Sequence, residues 1–453
     1  MREGKLREKI NDMHERYGPI VRYGVNSVSV NDAESISTIY VSRSNFTSAD
    51  SYGTLVGVSN GKVVYSLVSA PDMMHSALRR SIAGAFTPAA VLEYEKYIDE
   101  TIPELLYELE ARKTFDFCEI MTFYSMDAAS RFTFNETMGC LRANSDVVGM
   151  IETVRQRGRY WGVWSSLPQV ERQIYRNPIT IRLPRAKSSM VRLAASKVQE
   201  RVAEINASNG VMKRDDLLQR LLQASSQHPQ TLDTLGVIGM MMSVISGAGD
   251  TTSTTVGAIF YFLIKQPRVQ QKLQDELRAA DLPLIPAYAQ TKNLPYLNAV
   301  IKKSMRLFPL LNIPLRRKVP RGGITLAGKF LPEGATVGVL QSAMHHNKVV
   351  YGDDHADFRP ERWIENSPSQ LRVMEQSFMG FGRGKRVCLG QNIAMLNLKR
   401  VVPAIMQKFD VSAINATWNV ANNQTACSCE SESEAGRRLY FRRRCFETIA
   451  NES

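Results

Sequence analysis

Cysteine is scarce in this chain: six residues in 453, at Cys118, Cys140, Cys388, Cys427, Cys429 and Cys445. That excludes a disulfide-stapled scaffold and suits a reducing compartment, where a single thiol matters for its thiolate. No run of 18 or more apolar residues occurs, so no segment of this chain reads as a membrane-spanning helix. The N-terminal stretch Met1 to Arg16 is charged and amphipathic and lacks the apolar core of a secretory signal. Internal repeats and low-complexity linkers are missing as well. Length alone suggests about three domains, but nothing divides the chain, and residues 1–453 read as one domain. Zinc-finger spacing, RRM-type aromatics and a long basic arm are all absent. The net charge of +13, from 57 Lys and Arg against 44 Asp and Glu, therefore does not point to nucleic acid. An acidic protein partner or an anionic membrane surface suits it better.

What is present is mostly helical. His14 to Gly18 ends a first helix, and 19–23 and 27–30 read as strands. From about Pro71 to Ala280 apolar residues recur at three- and four-residue spacing, with breaks at Pro88, Pro168, Pro178 and Pro229. The longest helix is expected from Thr231, as N-cap, to Lys265, with Pro267 just beyond. Its middle, Val237 to Ile245, is apolar nearly all round, as in a helix that crosses a core. Strand signals return between Arg316 and Gln341. A helix is expected over 391–407, and the tail after about residue 418 reads as polar and irregular.

The most informative stretch is Phe378 to Gly390, FMGFGRGKRVCLG. Closely spaced glycines and an aromatic make a tight loop whose backbone can approach a ligand closely. Cys388 stands just before a helix start, with Arg383, Lys385 and Arg386 nearby, and all of these favour a thiolate. Such a thiolate is a nucleophile or a metal ligand. Phe381, Gly384, Arg386, Cys388 and Gly390, at their spacing, resemble the haem-binding signature of the cytochrome P450 family. The resemblance implies that Cys388 is the axial ligand of the iron of haem b and that Arg386 meets a haem propionate. Thiolate ligation favours O–O cleavage.

Other segments add to the likeness. Gly247-Ala248-Gly249-Asp250-Thr251-Thr252 places an acid and two hydroxyls inside an apolar helix, which is costly without a purpose. It resembles the family's oxygen-activation motif, which would make Asp250 the proton-relay acid and Thr251 the residue that holds dioxygen and its water. Ala248 departs from that motif, where glycine is usual. His75 and Arg79, four apart on one helix face, resemble a propionate-contacting pair. Arg317 resembles a third such contact, although neighbouring Arg316 leaves the register open by one. Phe358 to Trp363 resembles the Pro-Glu-Arg-Phe region.

One position breaks the pattern. The segment from Pro295 to Pro309 resembles the helix that carries the family's Glu-x-x-Arg, but Lys303 replaces the glutamate. The family's buried ion-pair triad would here read Lys303, Arg306 and Arg362, all cationic. Losing one partner of a buried pair costs about 3–5 kcal/mol. Re-pairing by Glu361 or another acid, or escape of Lys303 to solvent, is the expected remedy. A haem-deficient chain and a sequence error or deliberate substitution are the alternatives.

As a whole the chain resembles microsomal P450 enzymes of filamentous fungi, of the pisatin demethylase type. The implied fold is mainly α with small β-sheets, the haem lying between a long central helix and the cysteine loop. The implied activity is haem-thiolate monooxygenation of a hydrophobic small molecule in secondary metabolism. It uses O2 and electrons that reach it from NADPH through a separate NADPH–cytochrome P450 reductase. A haem-thiolate isomerase or dehydratase that needs no reductase, and a haem-deficient pseudoenzyme, are the rival readings. The pocket is expected from the segment before Pro71, Trp161 to Pro168, Met240 to Ala248, and Leu310, Leu311, Asn312 and Ile313. The likeness also implies the cytosolic face of the endoplasmic reticulum membrane. The full-length form would carry an N-terminal anchor that this chain lacks.

Overall fold

The computed structural model describes residues 5–59, 61–112, 115–183, 188–208, 214–311 and 313–413, and the backbone of the short strands 424–425, 428–429 and 439–443. The opening segment is helix Leu6–Tyr17, closed by Gly18 at φ 92°, followed by strands Ile20–Gly24 and Ser27–Val30. These two strands are antiparallel and begin a five-stranded sheet. Its order runs on through Thr336–Gly338 and Arg317–Lys318 to Thr47–Ser48. Strands from the first fifty residues and from 317–338 therefore share one small sheet.

The rest is helical. The long helix spans Thr234–Lys265. Its N-cap is Asp233, whose side chain accepts from the Gly236 N–H, rather than the expected Thr231. A carboxylate at this position meets the free amides and the positive end of the helix together. This central helix packs along Phe117–Phe134, with Phe117 and Phe260 edge to face at 5.1 Å. A Cβ on Gly249 would stand 2.5 Å from the Met126 sulfur, so glycine there lets the two helices close. The helix after the cysteine loop runs Gln391–Lys408, one residue longer than expected. It leads into Phe409–Ala413, which pairs antiparallel with Leu439–Arg443. The tail thus contains paired strands, where composition alone reads as irregular. Cross-strand hydrogen bonding supplies an order that a polar composition does not announce.

Candidate functional site

The central helix and the loop 378–390 face each other across a cavity of about 410 Å³. Gly247, Ala248, Asp250, Thr251 and Thr252 line one side; Gly380, Phe381, Gly382, Arg386, Cys388 and Gly390 line the other. His75, Arg79 and Arg317 border it too. Segments more than 300 residues apart in sequence thus meet around one space.

The loop is a folded hairpin of backbone bonds. Cys388 N–H donates to the Phe381 carbonyl at 2.8 Å, Gly382 N–H to Met379 at 2.8 Å, and Val387 N–H to Gly384 at 3.0 Å. Gly384 does not line the cavity. It stands at φ 67°, and a Cβ there would overlap the Tyr40 carbonyl oxygen at 1.7 Å. Its role is to shape the loop against Tyr40, not to touch what the cavity holds.

The Cys388 thiol is accessible, yet burial raises its pKa. The two statements agree because the surface it exposes lines a mostly apolar cavity. The Gly390 N–H and the Arg79 charge pull the other way and do not win. The expected pull of the helix start and of nearby cations toward a thiolate is thus outweighed by burial. Arg386 donates from Nε at 3.0 Å and from Nη2 at 2.7 Å to Asp72 Oδ1, and also to the Ala70 carbonyl. Lys385 turns to the Phe46 carbonyl at 2.6 Å and to Asp72 at 3.3 Å. Arg383 donates to the Glu375 carbonyl. A thiolate here needs a further cation, and a bound metal ion deprotonates a coordinating thiol outright.

Asp72 is the residue that sequence reasoning missed. Burial raises its pKa, but the Arg386 hydrogen bonds and charge, the Ser48 N–H and Lys385 outweigh that and hold it at about 2. Its position one helical turn before His75 was the available signal.

His75 is buried, and its Nδ1 has no hydrogen-bond partner among the described residues. Burial and the charges of Arg386 and Arg79 push its pKa down to about 4. Arg79 donates to the Val387 carbonyl at 2.7 Å, which ties its helix to the cysteine loop. The two arginines at 316–317 turn in different directions. Arg317 borders the cavity and lies over the Tyr40 ring at 5.2 Å, whereas Arg316 donates to the Ser165 carbonyl at 2.9 Å.

Asp250 titrates near neutrality, because burial pushes it up to about 7 and Arg155 offsets only part of that. The Thr251 hydroxyl donates to the Gly247 carbonyl within the helix. Ala248 presents its methyl to the cavity, while Gly249, one residue on, faces Met126.

The pocket expectations divide. Leu67, Val68, Met240, Val244, Ala248, Leu310 and Leu311 line the cavity. Ile313 and the segment Trp161 to Pro168 do not. Trp161 packs near Tyr52 at 6.2 Å and donates to the Ser51 carbonyl. Asn312 lies outside the described residues. Phe86, Ser125, Phe132 and Gln341 border the cavity without any local signature.

Lys303 is fully buried, and its Nζ has no hydrogen-bond partner among the described residues. Neither expected remedy operates. Glu361 is taken by Arg268 at 2.6 Å, Lys272 at 2.9 Å and the Tyr296 hydroxyl at 3.1 Å. Asp354 is taken by Arg362 at 2.6 Å and Arg359 at 2.9 Å. Burial, then Arg306 and Arg362, push Lys303 down to about 6. Arg306 donates to the carbonyls of His345 and His355. His345 carries this cluster to the cysteine loop. Its Nε2 accepts from the Met379 N–H at 3.0 Å, so its Nδ1–H donates to the Arg306 carbonyl at 3.0 Å.

The cytochrome P450 family model matches residues 1–428. The chain belongs to the cytochrome P450 family. It is 31% identical over 416 residues to a cytochrome P450 monooxygenase of Aspergillus terreus, covering 89% of this chain and 84% of that one. It is 32% identical over 416 residues to the cytochrome P450 monooxygenase pkfB of Emericella nidulans, covering 89% and 81%. A pisatin demethylase of Fusarium vanettenii is 30% identical over 435 residues, covering 92% and 82%. The fold is the mainly helical P450 fold with small sheets, and the chain is a P450 monooxygenase.

Haem is the cofactor this family implies. The residues present fit it: an accessible thiol faces the cavity, its rim carries Arg79 and Arg317, and His75 Nδ1 is an unpaired polar atom at the border. Arg386 fits less directly, since Asp72 already holds its guanidinium.

Proposed function

We propose that this P450 inserts oxygen from O2 into an unactivated bond of a hydrophobic small molecule. Haem b would be bound through Cys388, with His75, Arg79, Arg317 and Arg386 toward its propionates and Phe381 and Gly390 against it. The observation that carries this reading is the placement of Cys388 in one apolar cavity with Asp250 and Thr251. When bound, the haem supplies oxygen activation and accepts electrons singly.

The chain's own residues prepare that chemistry. Asp250, poised at about 7, is protonated and ionised in comparable amounts near neutral pH and so can pass protons inward. Thr251 lines the cavity and donates its hydroxyl to Gly247, so its oxygen is free to act as an acceptor for water. Apolar side chains on the lining keep bulk water out and favour an apolar substrate. Secondary metabolism is the setting we assign to it.

Electrons would arrive from NADPH through a separate reductase. Among the described residues no helix is long and apolar enough to cross a membrane. Val163, Leu167, Val170, Ile174, Ile179 and Leu183, within residues 163–183, nevertheless stand exposed. They support a membrane-proximal setting, which we assign to the cytosolic face of the endoplasmic reticulum.

The test is spectral and then kinetic. The reduced, carbon monoxide-bound protein should show a red-shifted Soret band, and turnover should require NADPH and reductase. A normal band without reductase dependence would support an isomerase or dehydratase. An absent band would support the pseudoenzyme reading, which the isolated Lys303 motivates.

A further inference from the structure

Three buried nitrogen donors in one cluster have no hydrogen-bond partner among the described residues: Lys303 Nζ, Arg306 Nε and Arg362 Nε. Lys303 and Arg306 lie one turn apart on the helix Pro295–Leu307. Arg306 lies over the Tyr351 ring at 4.5 Å, and Arg362 donates to the Tyr351 and Asp354 carbonyls. The two guanidiniums thus gather on the same turn, 351–355, and Lys303 feels both charges. All three side chains are buried to within 3% of full.

Water could satisfy these donors, but not their charge. The ionic groups facing Lys303 are Arg306, Arg362, Arg359 and Asp354. Counting the lysine, that is four cations against one carboxylate, and Asp354 is already engaged by two of them. A buried, uncompensated cation either loses its proton or acquires an anion. His346 and His355, also near, are pushed down by burial and stay neutral, so they add no charge at pH 7.

We propose that Lys303, Arg306 and Arg362 form a buried receptor for one small monovalent anion, of the size of chloride or formate. It adds negative charge where Asp354 is the one carboxylate facing four cations. Through Arg306 and His345 the bound anion steadies Met379 and the start of the cysteine loop. Binding draws a proton onto Lys303. Apparent affinity therefore weakens as pH rises above about 6, the value to which burial pushes that amine, by up to about tenfold per pH unit.

The purified full chain is melted at constant ionic strength while sodium gluconate, whose anion is too bulky, is exchanged for sodium chloride or sodium formate. A saturable rise of roughly 2–4 °C with either salt is expected. Lys303→Glu, which supplies its own carboxylate, should abolish the response, and Lys303→Met should weaken it at least tenfold. If Lys303→Glu does not fold, Lys303→Met decides alone. No saturable rise in the parent protein, or an equal rise in both variants, overturns the proposal. The readout is a melting temperature, so it stands apart from whether the monooxygenase reading holds.

Discussion

Asp250 and Lys303 are two ionisable groups buried by the same fold, with opposite consequences. Burial drives each toward its neutral form, the acid up to about 7 and the amine down to about 6. Asp250 opens onto the cavity, where protons can come and go. Lys303 is buried beside two arginines and does not line the cavity. Desolvation becomes a proton-handling device where the group meets a reactant space, and a stability cost where it does not.

The largest break in this comparison removes the thiol that shares the cavity with Asp250. Cys388→Ser should abolish the red-shifted carbon monoxide band and monooxygenation together; activity that survives would mean the cavity works without the thiol. Asp250→Asn leaves a carbonyl that cannot release a proton. It should lower kcat by about 10²–10⁴-fold and erase a kinetic pKa near 7 from the pH profile. A profile unchanged in shape would assign that limb to another group.

Lys303→Glu should raise the melting temperature and haem occupancy, with a gain of about 3–5 kcal/mol if the new carboxylate pairs with both arginines. No gain in either measure would show that the site is not strained. The pH dependences of the two groups have opposite sign. Lys303 binds fewer protons folded than unfolded between about 6 and its ordinary 10.5, so stability rises with pH across that window. Against Lys303→Met, the parent protein should gain up to about 1.4 kcal/mol per pH unit there. Asp250 binds more protons folded between 3.8 and about 7, so its contribution falls as pH rises through that range. Urea titrations of the two single variants separate them.

The smallest effect concerns the cavity rim. Asp72→Asn should cost about 1–2 kcal/mol and free Arg386 and Lys385. Asp72 titrates at about 2 rather than 3.8. Its contribution is therefore present above pH 3.8 and lost as pH falls through 2. A stability difference that stays constant from pH 5 to 2 would place the effect outside that ion pair.

Much of the site was legible in the residues themselves. Cys388 announces its loop through close-set glycines and one thiol, and Asp250 and Thr251 announce theirs by being polar inside an apolar helix. These are local contrasts, and local contrast survives in a linear string. Direction does not survive. The arginines at 316 and 317 look alike in sequence and part company only where one turns to Ser165 and the other to the cavity. Trp161 has the composition of a pocket wall, yet it packs against the 50–55 turn. Gly384 belongs to the signature, yet its reason is the Tyr40 backbone, over 340 positions away.

The sequence by itself determined the family, the helical frame, the one thiol in its loop, and the presence of a cation where an anion was expected. Each follows from residue type and spacing along the chain. Only the tertiary structure decided which charges meet. It gave Asp72 to Arg386, Glu361 to Arg268 and Lys272, and Asp354 to Arg362, and it left Lys303 alone. The reason is geometric. A charged side chain takes the partner that the fold brings within about 3 Å, and most of these partners come from distant segments.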